Sequence, residues 1–105
     1  MSDIDSTARA LAALGHETRL SIFRLLVVAG HDGLKIGEIG ARLGAAPSTL
    51  SFHLATLVEA GLVRQEKVGR AVVNRVDFEA LKGAMDFLTS ECCQGLLSLG
   101  EPDAA

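Results

Sequence analysis

The sequence predicts a mainly α-helical domain with one small β-hairpin, an α+β arrangement, on three observations. Apolar residues recur at helical spacing in short stretches before residue 60 and again after residue 77. Between these stretches the chain shifts to β-leaning runs, Leu62 to Val68 and Ala71 to Val76, on either side of a Gly69-Arg70 turn. Glycine or proline punctuates the junctions, at Gly15, Gly30, Gly33, Gly44, Pro47 and Gly61.

Taken in order, Asp5-Ser6-Thr7 supplies a helix cap, and the small apolar segment Ala8 to Leu14 predicts a short helix that needs a partner. Past the Gly15-His16 break, Thr18 to Val28 sets Leu20, Phe23, Leu26 and Val27 on one stripe, with Arg19 and Arg24 elsewhere, which predicts a core helix. Gly30 to Gly33 ends it. A third helix, Ile36 to about Leu43, stops at Gly44, and Pro47 fits the first position of the next, although Ala46 is a poor cap. That next helix runs to about Ala60 with Leu50, Leu54, Leu57 and Val58 turned inward. After the hairpin, a last helix from Phe78 to about Glu91 carries Phe78, Leu81, Met85 and Leu88 at helical spacing. A mixed tail, 94–105, with Gly95, Gly100 and Pro102, is expected to be flexible.

At 105 residues the chain is expected to form one domain, 1–105. Apolar residues at 49% against 22% charged supply a core and argue against disorder away from the ends. The longest apolar run, Leu25 to Gly30, falls far short of the ~20 residues that a bilayer needs, and acidic residues stand where a signal peptide would be basic. A soluble, cytoplasmic protein without a membrane partner is the expectation. Its two cysteines, Cys92 and Cys93, are then expected as reduced thiols; as sequence neighbours they cannot staple distant segments, so their role is local.

A net charge of −3 speaks against nucleic acid until its distribution is read. From Lys35 to Val76 six basic residues face three acidic ones, net +3, while the rest of the chain has four basic and ten acidic, net −6. A basic middle in an acidic frame suits a DNA-facing surface. Two helices around a tight Gly-containing turn (36–60), then a hairpin with a basic tip (62–76), are the parts of a helix-turn-helix with a wing. With Leu50, Leu54 and Leu57 held in the core, the opposite face presents Ser48, Thr49, Phe52, His53 and Thr56, with Ser51 at the margin. Such side chains bond phosphates and base edges or touch thymine methyls, and the helix N-terminus favours phosphate. Arg70 at the hairpin tip, with Lys67 nearby, reaches for the backbone or minor groove. The competing readings are a solvated polar face with Phe52 packed away, and a winged helix that binds protein instead of DNA. No orienting acid or oxyanion site accompanies the serines and histidine, so an enzyme is not expected.

The run Leu14-Gly15-His16-Glu17-Thr18-Arg19-Leu20-Ser21-Ile22-Phe23-Arg24-Leu25-Leu26, then Ser48-Thr49-Leu50-Ser51-Phe52-His53-Leu54, with Leu57-Val58-Glu59-Ala60-Gly61-Leu62-Val63, resembles the ArsR/SmtB family of metal- and metalloid-responsive repressors. The resemblance covers about residues 8 to 90. It implies a homodimer joined through the first and last helices (1–15 and 77–93) that leaves double-stranded operator DNA when its inducer binds. The partners that Ala8 to Leu14 and the Leu81/Met85/Leu88 stripe need on apolar grounds agree with that dimer.

Members of the family place inducer sites on different helices. The two-cysteine arsenic motif would fall near Ile36-Gly37-Glu38-Ile39, where there is no cysteine, and the zinc-type site on the last helix needs histidines that do not follow His53, so Asp77 alone does not make it. His16 and His31 lack ligand spacing and read as surface or capping residues. Cys92-Cys93 remain, a soft donor pair suited to thiophilic centres. Adjacent Cα atoms lie ~3.8 Å apart, so sulfurs at a fraying helix end can turn to one ion. Two sulfurs are a weak offer to zinc, which takes four ligands. One branch of the family resembles this chain in its vicinal cysteine pair, often with a third cysteine shortly after; Gln94 to Ala105 holds none. That departure favours methylarsenite, which keeps its carbon and needs two sulfurs, over arsenite, which prefers three. Redox or persulfide sensing, and two plain free cysteines, are the other readings of the pair.

Overall fold

Five helices and a three-stranded antiparallel sheet make up the structure, a computed structural model that describes residues 3–100. The order is α1 (Asp3–Leu14), α2 (Glu17–Ala29), a 3-10 turn (Gly30–Asp32), β1 (Leu34–Lys35), α3 (Ile36–Leu43), α4 (Pro47–Glu59), β2 (Val63–Val68), β3 (Ala71–Val76) and α5 (Phe78–Thr89), followed by a 3-10 turn at Leu96–Leu99. It is a mostly helical winged helix-turn-helix, as the periodicity predicts.

The helices start where charge and capping allow. α1 begins at Asp3, so the expected cap residues lie inside it, and Asp3 and Asp5 set negative charge against the positive end of its dipole. α2 is capped by His16, which is extended and whose Nδ1 accepts from the Thr18 N–H at 3.1 Å. Its buried stripe is Ile22, Phe23 and Leu26; Leu20, expected inside, lies at the margin, 46% exposed. α4 opens on Pro47 without a side-chain cap from Ala46, which a residue lacking the orphan N–H tolerates. Asp77 caps α5, its Oδ1 accepting from the Ala80 N–H at 3.0 Å while Oδ2 takes Arg64 Nε at 3.1 Å.

The core gathers Ile22 and Leu26 of α2, Ile39 of α3, and Leu50, Leu54 and Leu57 of α4, each almost wholly shielded. Burying each such side chain stabilises by about 1.5–3 kcal/mol against leaving it in water. Together they clamp α3 against α4, which fixes the turn between them. Leu62, Val63 and Val76 close the core from the sheet.

The sheet runs β1-β3-β2, with Leu34 opposite Asn74 and Val63 opposite Val76. β1 is too short to show a period, and the sequence does not predict it. Gly33 admits it: at φ 66° a Cβ would lie 2.5 Å from the Asn74 carbonyl oxygen. Asn74, 1% exposed, then binds all three strands, donating to Leu34 O at 3.0 Å and accepting from Gln65 Nε2 at 2.9 Å. The hairpin that carries the basic tip is therefore anchored from both sides.

α1 and α5 pack together beside this core. Phe78, Leu81 and Ala84 lean on the core, whereas Met85 and Leu88 on α5, with Ile4 and Leu11 on α1, stay largely exposed. α5 ends at Thr89, short of the expected Glu91, and the tail expected to be flexible holds the Leu96–Leu99 turn. Residues 101–105 of that tail lie outside the described residues.

Candidate nucleic-acid interface

α4 brings Ser48, Thr49, Ser51 and Phe52 to the surface at its N-terminal end, where the first backbone N–H groups lack partners within the helix. Phe52 is 69% exposed, so it is not packed into the core. Across from this end stand Lys67 on β2 and Arg70 in the β2–β3 turn, both exposed. Ser51 of α4 and Arg70 of the wing line one cleft of 590 Å3, with Lys35, Ala55, Gln65 and Val72 among its other walls. Helix and wing tip thus share one concave surface. Thr56 stands further along α4, half-buried, its Oγ1 donating to Phe52 O at 3.4 Å.

His53 is the exception among the expected contacts. Its polarity predicts the outer face, but the structure buries it at 8% exposure, its ring 4.6 Å from that of His16 and its Nδ1 3.5 Å from Arg19 Nη1. The signal for this was present: Leu50, His53, Leu54 and Leu57 follow the i, i+3, i+4, i+7 spacing of a buried stripe. Burial, and then the neighbouring His16 and Arg19, push the His53 pKa below its ordinary value.

The basic middle of the chain also sorts itself. Arg64 pairs with Asp77 at 3.1 Å and Arg75 with Glu66 at 2.8 Å, which ties these two cations to carboxylates. Lys35, Lys67 and Arg70 have no acidic partner within 4.0 Å among the described residues, and Lys35 and Arg70 line the cleft. Lys35 was not singled out from sequence. Its place was readable only through β1, which puts it opposite Val73 beside the wing.

Cys92 and Cys93 lie beyond α5, in an exposed turn where Glu91 (φ 59°) and Cys93 (φ 70°) take left-handed backbone. Their two sulfurs lie side by side, within reach of one another. Leaving the helix is what lets neighbouring side chains meet, since regular helix splays them by ~100°. No third His, Cys, Asp or Glu gathers with them among the described residues. No helix among those residues is long and apolar enough to cross a membrane.

The helix-turn-helix domain family matches residues 14–66, from the end of α1 into β2. An uncharacterized HTH-type transcriptional regulator of Bacillus subtilis (strain 168), YceK, is 41% identical over 69 residues, which cover 66% of this chain and 68% of the relative. Among solved structures, a possible transcriptional regulator for arsenical resistance superposes with a TM-score of 0.65 at 30% identity, over 86% of this chain and 91% of the other. A homodimeric winged helix-turn-helix DNA-binding domain of Mycobacterium bovis, described as a possible ArsR-family transcriptional regulator, superposes with a TM-score of 0.66 at 25% identity, over 88% and 90%. These relatives are regulators and DNA-binding proteins, not enzymes.

Proposed function

The chain belongs to the helix-turn-helix transcriptional regulators of the ArsR-like kind, and from that premise we propose that it is a homodimeric repressor, released from operator DNA when a trivalent arsenical binds Cys92 and Cys93. That it is a DNA-binding regulator and no enzyme follows from the family; the dimer, the inducer and the contact residues are the further reading.

The observation that carries this reading is the setting of the two sulfurs side by side just past α5, the helix whose Met85 and Leu88 lack cover. With Ile4 and Leu11 of α1 they form an apolar face that a second copy covers, residues 1–15 and 77–93 serving as the dimerisation elements. The dimer sets two α4 helices about one duplex turn apart, ~34 Å, so that both enter successive major grooves. Ser48, Thr49, Ser51 and Phe52 then meet base edges and phosphates, and Lys67 and Arg70 of the wing hold the backbone. His53 acts from behind the helix instead of from its outer face.

Two sulfurs that no third donor joins among the described residues fit methylarsenite better than arsenite. Each reduced thiol gives its proton to an arsenic-bound hydroxyl, two waters leave, and two arsenic–sulfur bonds form. Closing that ring re-aims the turn after α5, and α5 carries the change into the dimer face. A coupling of ~1–3 kcal/mol is enough to switch DNA affinity. Such chemistry places the protein in a reducing cytoplasm.

Two sulfurs this close also suit a second reading, a repressor that responds to oxidants. A peroxide takes two electrons from the dithiol, which yields the disulfide and two waters. Native mass spectra of the reduced protein, titrated separately with arsenite, methylarsenite and peroxide, separate the two. One methylarsenite per chain on a dimer supports the arsenical reading. Loss of two hydrogens per chain with peroxide, without arsenical uptake, replaces it with the redox reading.

A further inference from the structure

Arg19 sits at a junction of three helices. Its Nε donates to Ala13 O at 2.6 Å and its Nη2 to Ala12 O at 3.5 Å. These carbonyls belong to the last turn of α1, which lacks intrahelical donors and favours a cation. α1 has no basic residue of its own in that turn, so α2 supplies the charge. The remaining arm of the guanidinium, Nη1, faces His53 Nδ1 on α4 at 3.5 Å. His16, the cap of α2, closes the assembly with its ring 4.6 Å from the His53 ring.

We propose that Arg19 is a positioning residue that couples α1 to the recognition helix α4 through His53. The proposal rests on the DNA-binding dimer reading above, in which α1 is part of the face between copies. Beside Arg19 a shallow hollow of 380 Å3 opens between α1 and α4, which also touch directly, and Arg9, Thr56 and Glu59 are among its walls. Beside that hollow the guanidinium adds a rigid polar strut between the two helices, planar and with donors in fixed directions. A shift of α1 in the dimer moves the carbonyls of Ala12 and Ala13, the guanidinium follows them, and His53 moves on the same turn of helix as Ser51 and Phe52.

The junction also dictates a protonation state. Arginine only donates, so His53 Nδ1 must accept, which requires a neutral ring with its proton on Nε2. Burial does most to keep that ring neutral, and the neighbouring His16 and then Arg19 add to it. Of the charges lining the hollow, Arg9 comes from α1 and Glu59 from α4. Protonated His53 turns an N–H towards the N–H of Arg19, and the strut becomes a repulsion.

The test uses the reduced full chain as wild type, Arg19→Gln and Arg19→Lys. NMR follows the His53 ring titration and the α4 amides; fluorescence anisotropy follows binding to a duplex that the wild type selects from a random-sequence pool, between pH 5.5 and 8. In Arg19→Gln the His53 pKa rises towards its ordinary value, and the amides of Ser51 to Leu54 shift although residue 19 lies on another helix. Its duplex affinity at pH 7.5 falls about tenfold, a coupling of ordinary size, and the loss of affinity that acid causes in the wild type is blunted. Arg19→Lys keeps the charge but not the fork; it keeps the lowered His53 pKa and recovers part of the affinity. An unchanged His53 titration with unmoved α4 amides, or wild-type affinity and pH profile in Arg19→Gln, makes Arg19 a helix cap alone and overturns the proposal. If Arg19→Gln does not fold, α4 amides in Arg19→Lys that match the wild type overturn it equally. A wild type that binds no duplex defeats the DNA-binding reading, while the NMR arm still decides the coupling.

Discussion

Gln65 and Asn74 meet across the wing, Gln65 Nε2 donating to Asn74 Oδ1 at 2.9 Å while Asn74 passes its own N–H to Leu34 O at 3.0 Å. One buried side chain thereby fixes the register of three strands. Replacing Asn74 by Leu strands the Leu34 carbonyl and is expected to cost about 1–3 kcal/mol. Gln65→Ala, at an exposed position that water reaches, is expected to cost less than about 1 kcal/mol. Urea unfolding of the two variants checks the order.

Gly33→Ala tests the entry of β1. Its backbone, φ 66° and ψ −174°, is a conformation that glycine alone adopts readily, at a cost of ~1–3 kcal/mol for other residues. The added methyl also meets Asn74 O, the side chain of Arg75 at 2.7 Å and that of Val73 at 2.8 Å. A loss of stability above the backbone cost alone is expected by thermal unfolding, with amide exchange rising first along β1 and β3.

The pH dependence of stability has a definite sign at His53. Its pKa is lowered in the folded chain, so below the ordinary value of 6.5 the unfolded chain binds more protons than the folded one. The contribution of neutral His53 is fully present above pH 6.5 and is lost as pH falls towards the folded value. Urea midpoints are expected to drop between pH 7.5 and pH 5.5, and His53→Gln is expected to flatten that slope.

Lys67 and Arg70 differ from Arg64 and Arg75 in having no carboxylate partner among the described residues. Arg70→Ala is expected to weaken duplex binding and to reduce the slope of log affinity against log salt by ~0.9, the signature of one lost phosphate contact. An unchanged slope removes Arg70 from the interface.

Much of this was written in spacing. The shift of period at Leu62, the turn at Gly69-Arg70 and the Leu50/Leu54/Leu57 stripe each follow from local pattern, and the helices and hairpin formed where those patterns stand. β1 was not legible, because two residues carry no period and their strand character comes from Asn74, forty residues away. His53 was misplaced because its polarity outweighed its spacing; only the tertiary neighbours His16 and Arg19 explain a buried imidazole there. The cysteines were legible as a pair, but not the turn that joins them, since left-handed backbone at Glu91 and Cys93 is no property of their side chains.

The central claim is that the thiol pair governs the grip on DNA, and anisotropy of a labelled wild-type-selected duplex with reduced protein tests it most directly. Methylarsenite is expected to release the wild type and to leave Cys92→Ser/Cys93→Ser bound. Release of the serine variant at the same methylarsenite concentration, or a wild type that stays bound with the arsenical seated on both sulfurs, contradicts the account.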